Sequence, residues 1–269
     1  MSTTVEFSPL RISTLVTTGY LGTTVNLSTL FNQIKNYIIP IGYPGEGILK
    51  MEHEDKVIGY SSRDLLTKRR VSNKTFFNQS TIVIRKLREK DGDFKEVNIK
   101  FFANGGFQMT GVTNEDFSLD VINWIIKEFN SLPTPITSVP LELKKFNVQL
   151  LNSDYKVNLL IKRAELHRLL CGKYHLSSTL ETTIYQGVNT KYYYNDQAEV
   201  KNGVCRCPKF CNGQGDGSEI GQCKRITIAI FQTGSIIITG ARIQKQLDEA
   251  YDFINKIIKD HLNEVTRAS

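Results

Sequence analysis

The chain carries one stretch of its sequence twice, and no other feature constrains the fold as much. Phe102-Ala-Asn-Gly105-Gly-Phe-Gln-Met-Thr110-Gly111 returns as Phe231-Gln-Thr-Gly234-Ser-Ile-Ile-Ile-Thr239-Gly240, with Phe, Gly and Thr-Gly at the same offsets. A β-prone run precedes each copy (97–102 and 226–231) and a long amphipathic helix follows it. Two copies so far apart in 269 residues point to a pseudo-twofold domain rather than a solenoid.

The flanking patterns repeat as well. In the first half, 10–18 alternates as a strand, and 26–38 is helical with Leu27, Leu30, Phe31, Ile34 and Ile38 on one stripe. Runs 80–87 and 97–102 form a hairpin about Glu89-Lys-Asp-Gly-Asp, with a further strand at 107–111. Ser118 is positioned to cap a helix striped by Val121, Ile122, Ile125, Ile126 and Phe129. Pro133, Pro135 and Pro140 exclude a helix over 133–140 and make it a joint between a first repeat, 1–132, and a second, 141–269. After the joint come a strand at 146–151, a helix at 161–170, strands at 188–194, 226–231 and 235–239, and a final helix over 244–265. The expected class is α+β, an antiparallel sheet with helices on one side and its other face free. That free face is open either to a ligand groove or to a covering partner.

The charge balance narrows the partners. Lys and Arg exceed Asp and Glu by 34 to 27, which favours an anionic partner, nucleic acid first. No apolar run reaches the length of a membrane span, and MSTTVEFSPLRIS lacks the basic and apolar segments of a secretory signal, so an intracellular protein is expected.

The stretch Ile228-Ala-Ile230-Phe231-Gln-Thr-Gly234-Ser-Ile-Ile-Ile-Thr239-Gly240-Ala241-Arg242 resembles the Leu-Ile-Phe-x-Ser-Gly-Lys-x-Val-x-Thr-Gly-Ala-Lys signature of the TATA-box-binding protein family. Residues 102–111 are a worn copy, 146–166 resemble the strand and helix that open the family's second repeat, and the likeness spans roughly 10–265. Its insertions and divergent first repeat look like versions from large DNA viruses, which would place the protein in a host nucleus, viral factory or virion. The resemblance implies a saddle of two repeats that binds double-stranded, A·T-rich promoter DNA through the minor groove. Aromatic wedges would unstack two base steps and bend the duplex, and a IIB-like factor and RNA polymerase would be recruited.

Carried over by position, the second-repeat wedges are Phe231 and Tyr185, the latter in Tyr185-Gln-Gly187-Val188, similar to the family's Phe-Pro-Gly-Leu. Asn152, Ala229, Ile237 and Thr239 would face the groove, with Lys191 and Arg242 at phosphates. In the first repeat the wedge is Phe102, partnered by Gln79 on strict alignment or Phe77 on a two-residue slip. Val16 and Thr110 would face the groove there, and Arg85 would lie near phosphate. Core packing is the alternative for each aromatic. Thr14 and Leu150 stand where the family has asparagine, Lys100 and Gln108 where it has apolar residues, and Gly106 and Ser235 replace the signature lysine. These departures predict relaxed sequence choice with the second repeat gripping harder. They also keep open a scaffold that acts through protein contacts without bending DNA.

Two insertions lengthen the family pattern. The second part of an insertion over 39–76 includes Arg63, Lys68, Arg69, Arg70 and Lys74 against one acid, Asp64, either a phosphate contact or a solvated loop. Residues 192–224 hold Cys205, Cys207, Cys211 and Cys223, four of the chain's five cysteines within 19 residues, around a Gly-rich run. In an intracellular protein such a cluster favours one structural zinc over a disulfide pair or free thiols, although C-x-C-x3-C-x11-C is not the paired C-x2-C pattern. Lying where the family projects a loop beside DNA, this knuckle could extend a IIB-like contact or reach the flanking duplex. Cys171 reads as a buried helical residue, and His53, His167, His175 and His261 are scattered. No catalytic set of carboxylates, Ser/His/Asp or Cys/His emerges, so no enzyme is expected.

Overall fold

A computed structural model of the chain describes residues 4–66, 77–88 and 92–267. Lys68, Arg69, Arg70 and Lys74 of the first insertion therefore lie outside the described residues. The chain divides into two compact units, Thr14–Gln149 and Met1–Ser13 with Leu150–Ser269.

The first unit runs β1 (Arg11–Tyr20), α1 (Leu27–Ile34), β2 (Gly47–His53), β3 (Lys56–Gly59), α2 (Ser62–Leu66), β4 (Gln79–Arg88), β5 (Asp93–Phe102), β6 (Gly106–Val112) and α3 (Glu115–Asn130). Its strands lie in the order β3-β2-β4-β5-β6-β1, with antiparallel pairing throughout. The second unit comprises β7 (Lys145–Lys156), β8 (Leu160–Ile161), α4 (Arg163–Gly172), β9 (Ser178–Thr179), β10 (Val188–Tyr194), β11 (Lys224–Ile230), β12 (Ser235–Ala241), α5 (Gln244–Asp260), α6 (Leu262–Val265) and β13 (Thr266–Arg267). Its sheet order is β7-β12-β11-β10-β9, and β13 pairs with β8. The series β4-β5-β6-β1 and β10-β11-β12-β7 are the same topology, so the duplication read from ten residues extends to whole units.

The repeated glycines explain why the motif persists. Gly111 and Gly240 (φ +91° and +102°) are the extra residues of matching β-bulges, since Val16 pairs with Thr110 but Leu15 with Val112, and Asn152 with Thr239 but Leu151 with Ala241. Gly105 and Gly234 (φ +86° and +80°) turn the hairpins, and a Cβ on either would sit 2.0 Å from the Thr23 carbonyl or 2.3 Å from that of Val157.

Each sheet is amphipathic with a period of two. Ile226, Ile228, Ile230, Ile236 and Ile238 are fully buried, as are Leu247, Ala250, Ile254 and Ile258 of α5. Each such isoleucine contributes roughly 1.5–3 kcal/mol by leaving water. In the first unit Ile82, Ile84, Val97, Ile99, Phe101 and Met109 play the same part beside Val121, Ile122 and Ile125 of α3.

Several boundaries differ from expectation. Asn114, not Ser118, caps α3 by accepting the Phe117 N–H at 2.8 Å, and Ser118 lies buried inside the helix. α1 stops at Ile34, because Ile38 is drawn into a bridge with Ile48 and the Ile39 N–H bonds the Ile48 carbonyl. The last helix breaks at His261, where the backbone turns so that Val265 can accept the Lys162 N–H and β13 can reach β8. The cysteine insertion begins after Tyr194, at 195, three residues later than expected.

The described part of the first insertion, up to Leu66, holds regular elements. Its strands β2 and β3 extend the sheet, and Ile48, Leu49 and Met51 join the core. Lys50 is buried with them and donates to Asp64 at 2.7 Å and Glu52 at 2.8 Å. Desolvation pushes the Asp64 carboxyl up, but the hydrogen bonds from Lys50 and Ser61 outweigh it and hold the pKa at about 2, against an ordinary 3.8. A depressed carboxyl stabilises the fold above its ordinary pKa, and that stability is lost as pH falls from about 4 through 2. Asp64→Asn should therefore cost about 2 kcal/mol at pH 6, a penalty mostly lost by pH 2, where the carboxyl is half protonated. Denaturant unfolding of both proteins across that range is the check.

Candidate nucleic-acid interface

The sheet face opposite the helices carries the residues singled out from the sequence. In the second unit, three rows cross the strands: Phe231 with Ser235 and Lys156; Asn189, Ala229, Ile237 and Asp154; and Lys191, Thr227, Thr239 and Asn152. Phe231 follows β11 at its hairpin, where its N–H bonds the Ser235 carbonyl at 2.9 Å. Tyr185 meets it edge-on, with ring centroids 5.5 Å apart. Neither ring lies under a helix stripe, and Tyr185 is 39% exposed. Gly187 sits between them: a Cβ there would be 3.0 Å from Tyr185 and 3.2 Å from Phe231. Thr239 Oγ1 donates to Asn152 Oδ1, and Arg11 neutralises Asp154 at 2.9 Å. Ala229 is buried in its row, while Ile237, Thr239 and Asn152 are half-exposed.

One end of this face is cationic. Lys191 Nζ donates to Thr227 Oγ1 at 3.0 Å, and burial followed by the nearby Arg225 pushes its pKa down. Arg225 is exposed opposite Tyr193, and Arg242 has its Nε buried without a partner. Asn189 Oδ1 is likewise buried and unpartnered. Asn189 and Arg225 were missed in the sequence. The available signal was strand parity, since Asn189 lies two residues from Lys191 and Arg225 two from Thr227.

The first unit is built alike but furnished differently. Gln79 pairs with Phe102, Lys100 links Thr81 to Gln108, and Asn98 links Val83 to Thr110, which pairs with Val16. Continuing the β10–β11 ladder from Val188 and Ile230 sets Gly187 opposite Phe231, as Gln79 is opposite Phe102. The counterpart of Tyr185 is thus Phe77, two residues earlier and 70% exposed. Arg85 is already engaged, donating to the Ile41 and Tyr43 carbonyls at 2.9 and 2.6 Å and lying 4.4 Å over the Phe94 ring. The residue matching Arg225 is Glu96, which accepts from Ser62.

The sulfurs of Cys205, Cys207, Cys211 and Cys223 all lie within 4.8 Å of one another. Cys207 is 3.4 Å and Cys205 3.8 Å from Cys223, near the ~3.8 Å edge of a tetrahedron with ~2.3 Å metal–sulfur bonds. N–H groups aim at the sulfurs, from Gly221 to Cys207 at 3.2 Å and from Asn195 to Cys223 at 3.5 Å. Burial raises the Cys211 pKa, but amides of Gly213 and Cys223 overcome this and lower it, whereas burial keeps Cys223 raised. All four thiols are free of disulfides, and together they could hold a metal ion.

Elsewhere, α4 brings Cys171 Sγ within 3.7 Å of His167 Nδ1, a Cys/His proximity not expected from the sequence. Ser178 Oγ shares that nitrogen at 3.2 Å, and no carboxylate orients the ring among the described residues. No helix among the described residues is long and apolar enough to cross a membrane.

A family profile described as "Transcription factor TFIID (or TATA-binding protein, TBP)" matches residues 221–261, the segment from the last cysteine through the stronger motif copy and α5. A TATA-box-binding protein-like protein of Acanthamoeba polyphaga mimivirus is 31% identical over 211 residues, 75% of this chain. The chain is a divergent relative of the TATA-box-binding proteins. It spans about half, 53%, of that viral protein's length. A solved structure of Methanococcus jannaschii TBP aligns over 94% of the chain and 99% of its own, with 14% identity and a TM-score of 0.48. The resemblance read from the motif, its divergence and its likeness to a large-virus protein are thereby borne out. Within this TATA-box-binding protein relative, the profile match falls on the unit that carries Phe231, Arg225 and Arg242.

Proposed function

We propose that the chain is a non-enzymatic transcription initiation factor that binds and bends promoter DNA from the minor groove. The observation that carries this is the Tyr185–Phe231 pair, two touching rings on the helix-free face beside a row centred on Ala229 and Ile237. Rings so placed can wedge into a base step, while Asn189, Ala229, Ile237 and Thr239 suit the sparse hydrogen-bonding pattern of the minor groove. Lys191, Arg225 and Arg242 would meet phosphate. Phe102 and Phe77 form the first-unit wedge, flanked by Val16 and Thr110, with Arg85 a phosphate contact only if it releases its carbonyl partners. Grip is stronger in the second unit, where Arg225 stands in place of Glu96. The four cysteines would close round one structural zinc, and the knuckle they form would meet a IIB-like factor that brings RNA polymerase. The site of action is intracellular, in a host nucleus or viral factory.

A second function, a scaffold that leaves DNA straight, is favoured by Lys100, Gln108 and the engaged Arg85 on the first-unit face. End-labelled duplexes read by fluorescence energy transfer separate the two. The expected result is a bent duplex with A·T-rich and G·C-rich affinities within about tenfold, about one direct contact's worth of discrimination. A bound but straight duplex favours the scaffold, and a steep TATA preference removes relaxed readout.

A further inference from the structure

We infer that the four-cysteine centre binds a zinc-class ion whose task is to hold the cationic end of the DNA face in place, so that metal occupancy sets the number of phosphates gripped. This rests on the DNA-binding function proposed above and on the metal site it includes.

The loop from 195 to 223 has no core of its own. Phe210 is 93% exposed, Ile220 69% and Val200 51%, so apolar burial does not fix its path. What converges inside it is four sulfurs with N–H donors turned toward them. Thiolates attract such donors, and a single tetrahedral ion would join all four.

The centre is wired directly into the sheet. The Gly213 amide serves the Cys211 sulfur, and the Gly213 carbonyl accepts the Arg225 N–H at 2.7 Å. Gln214 then bridges to Lys224, the first residue of β11. Gly213 carries no side chain where one would stand 2.6 Å from Arg225 Cβ and 2.8 Å from the Tyr193 ring, so the loop packs flush on both. On the other strand, Asn195, next to the end of β10, donates to Cys223. Arg225 therefore projects from a strand end held between sulfur ligands, and Lys191, in the middle of β10, lies close enough to feel its charge. Without the ion, the loop keeps contacts such as the Gly203 carbonyl on the Tyr193 N–H but loses the join among its four sulfurs, and Arg225 loses that support.

The test uses the full chain. Metal content is measured on the purified protein, and cobalt substitution is followed by its thiolate charge-transfer absorption. One ion per chain and a tetrathiolate cobalt spectrum support the site; a metal-free protein that takes up no cobalt overturns it. Hydrogen exchange is then compared for zinc-loaded and Cys211→Ser protein. Faster exchange at the Arg225 amide with an unchanged α5 supports the coupling, and unchanged exchange at Arg225 overturns it, with no DNA needed. Finally, duplex affinity is followed against salt. Loss of metal should lower the slope of log K against log salt by about one to two phosphates, near 0.9 each. Arg225→Ala should lower it in the loaded protein and add little in Cys211→Ser. Additive losses overturn the coupling. Failure of the zinc-loaded protein to bind any duplex instead overturns the DNA-binding function and the clamp with it, leaving the metal and exchange results standing.

Discussion

Phe231→Ala and Tyr185→Ala should each abolish most of the duplex bend while leaving the protein folded. Both rings lie on the helix-free face, Tyr185 more than a third exposed, so truncation removes little from the core. An aromatic–base contact is worth about 1–3 kcal/mol, so affinity should fall roughly 5- to 150-fold. The rings touch, so the double variant should lose less than the sum of the singles. Phe102→Ala is expected to have a smaller effect, because its cross-strand neighbour is Gln79 and the matching Phe77 stands apart. Energy transfer on a doubly labelled duplex, with circular dichroism as a fold control, decides the matter. An undiminished bend in Phe231→Ala would remove the ring from the wedge role.

Gly234→Ala should be among the most damaging single-atom additions in the second unit, costing about 2–4 kcal/mol. Its φ of +80° is strained for any side chain, and the new Cβ would lie 2.3 Å from the Val157 carbonyl and 2.6 Å from that of Leu159. Backbone, unlike a flexible side-chain tip, cannot swing aside. The Gly234 carbonyl also accepts the Val157 N–H at 2.9 Å, so the shift would break a hydrogen bond. Gly172→Ala is the control: nothing lies within 4 Å of its Cβ position, and the change should be neutral or slightly stabilising. Urea midpoints of the two variants give the comparison.

The strands, the long helices and the duplication were legible because their signals are local. Alternation marked the isoleucine face, a 3/4 stripe marked α5, and paired glycines marked two bulges and two turns. β2 was not legible, since Lys50 interrupts its apolar run and is tolerated only through Asp64 and Glu52, the former 14 residues on. The break at His261 depends on a pairing with β8 about 100 residues earlier, which no local pattern carries. Within the candidate interface, the Tyr185–Phe231 contact followed from motif position. The choice of Phe77 over Gln79 needed cross-strand register. The commitment of Arg85 to two carbonyls, and the buried Asn189 and Arg242 atoms, depend on tertiary neighbours alone.

The two insertions, unlike in sequence, guard equivalent margins. β4 and β10 hold the same place in their repeats, and each would otherwise present unsatisfied amides to passing chains. On β4 the margin is taken by β2 and β3. On β10 it is stitched by β9, by the Ser177 carbonyl to the Lys191 amide, and by Gly203 of the cysteine loop to that of Tyr193. Strand capture, the cheapest route to aggregation for a bare sheet, is thereby denied to both units at these positions. At these two margins other molecules meet side chains rather than bare backbone, and specificity can be written there.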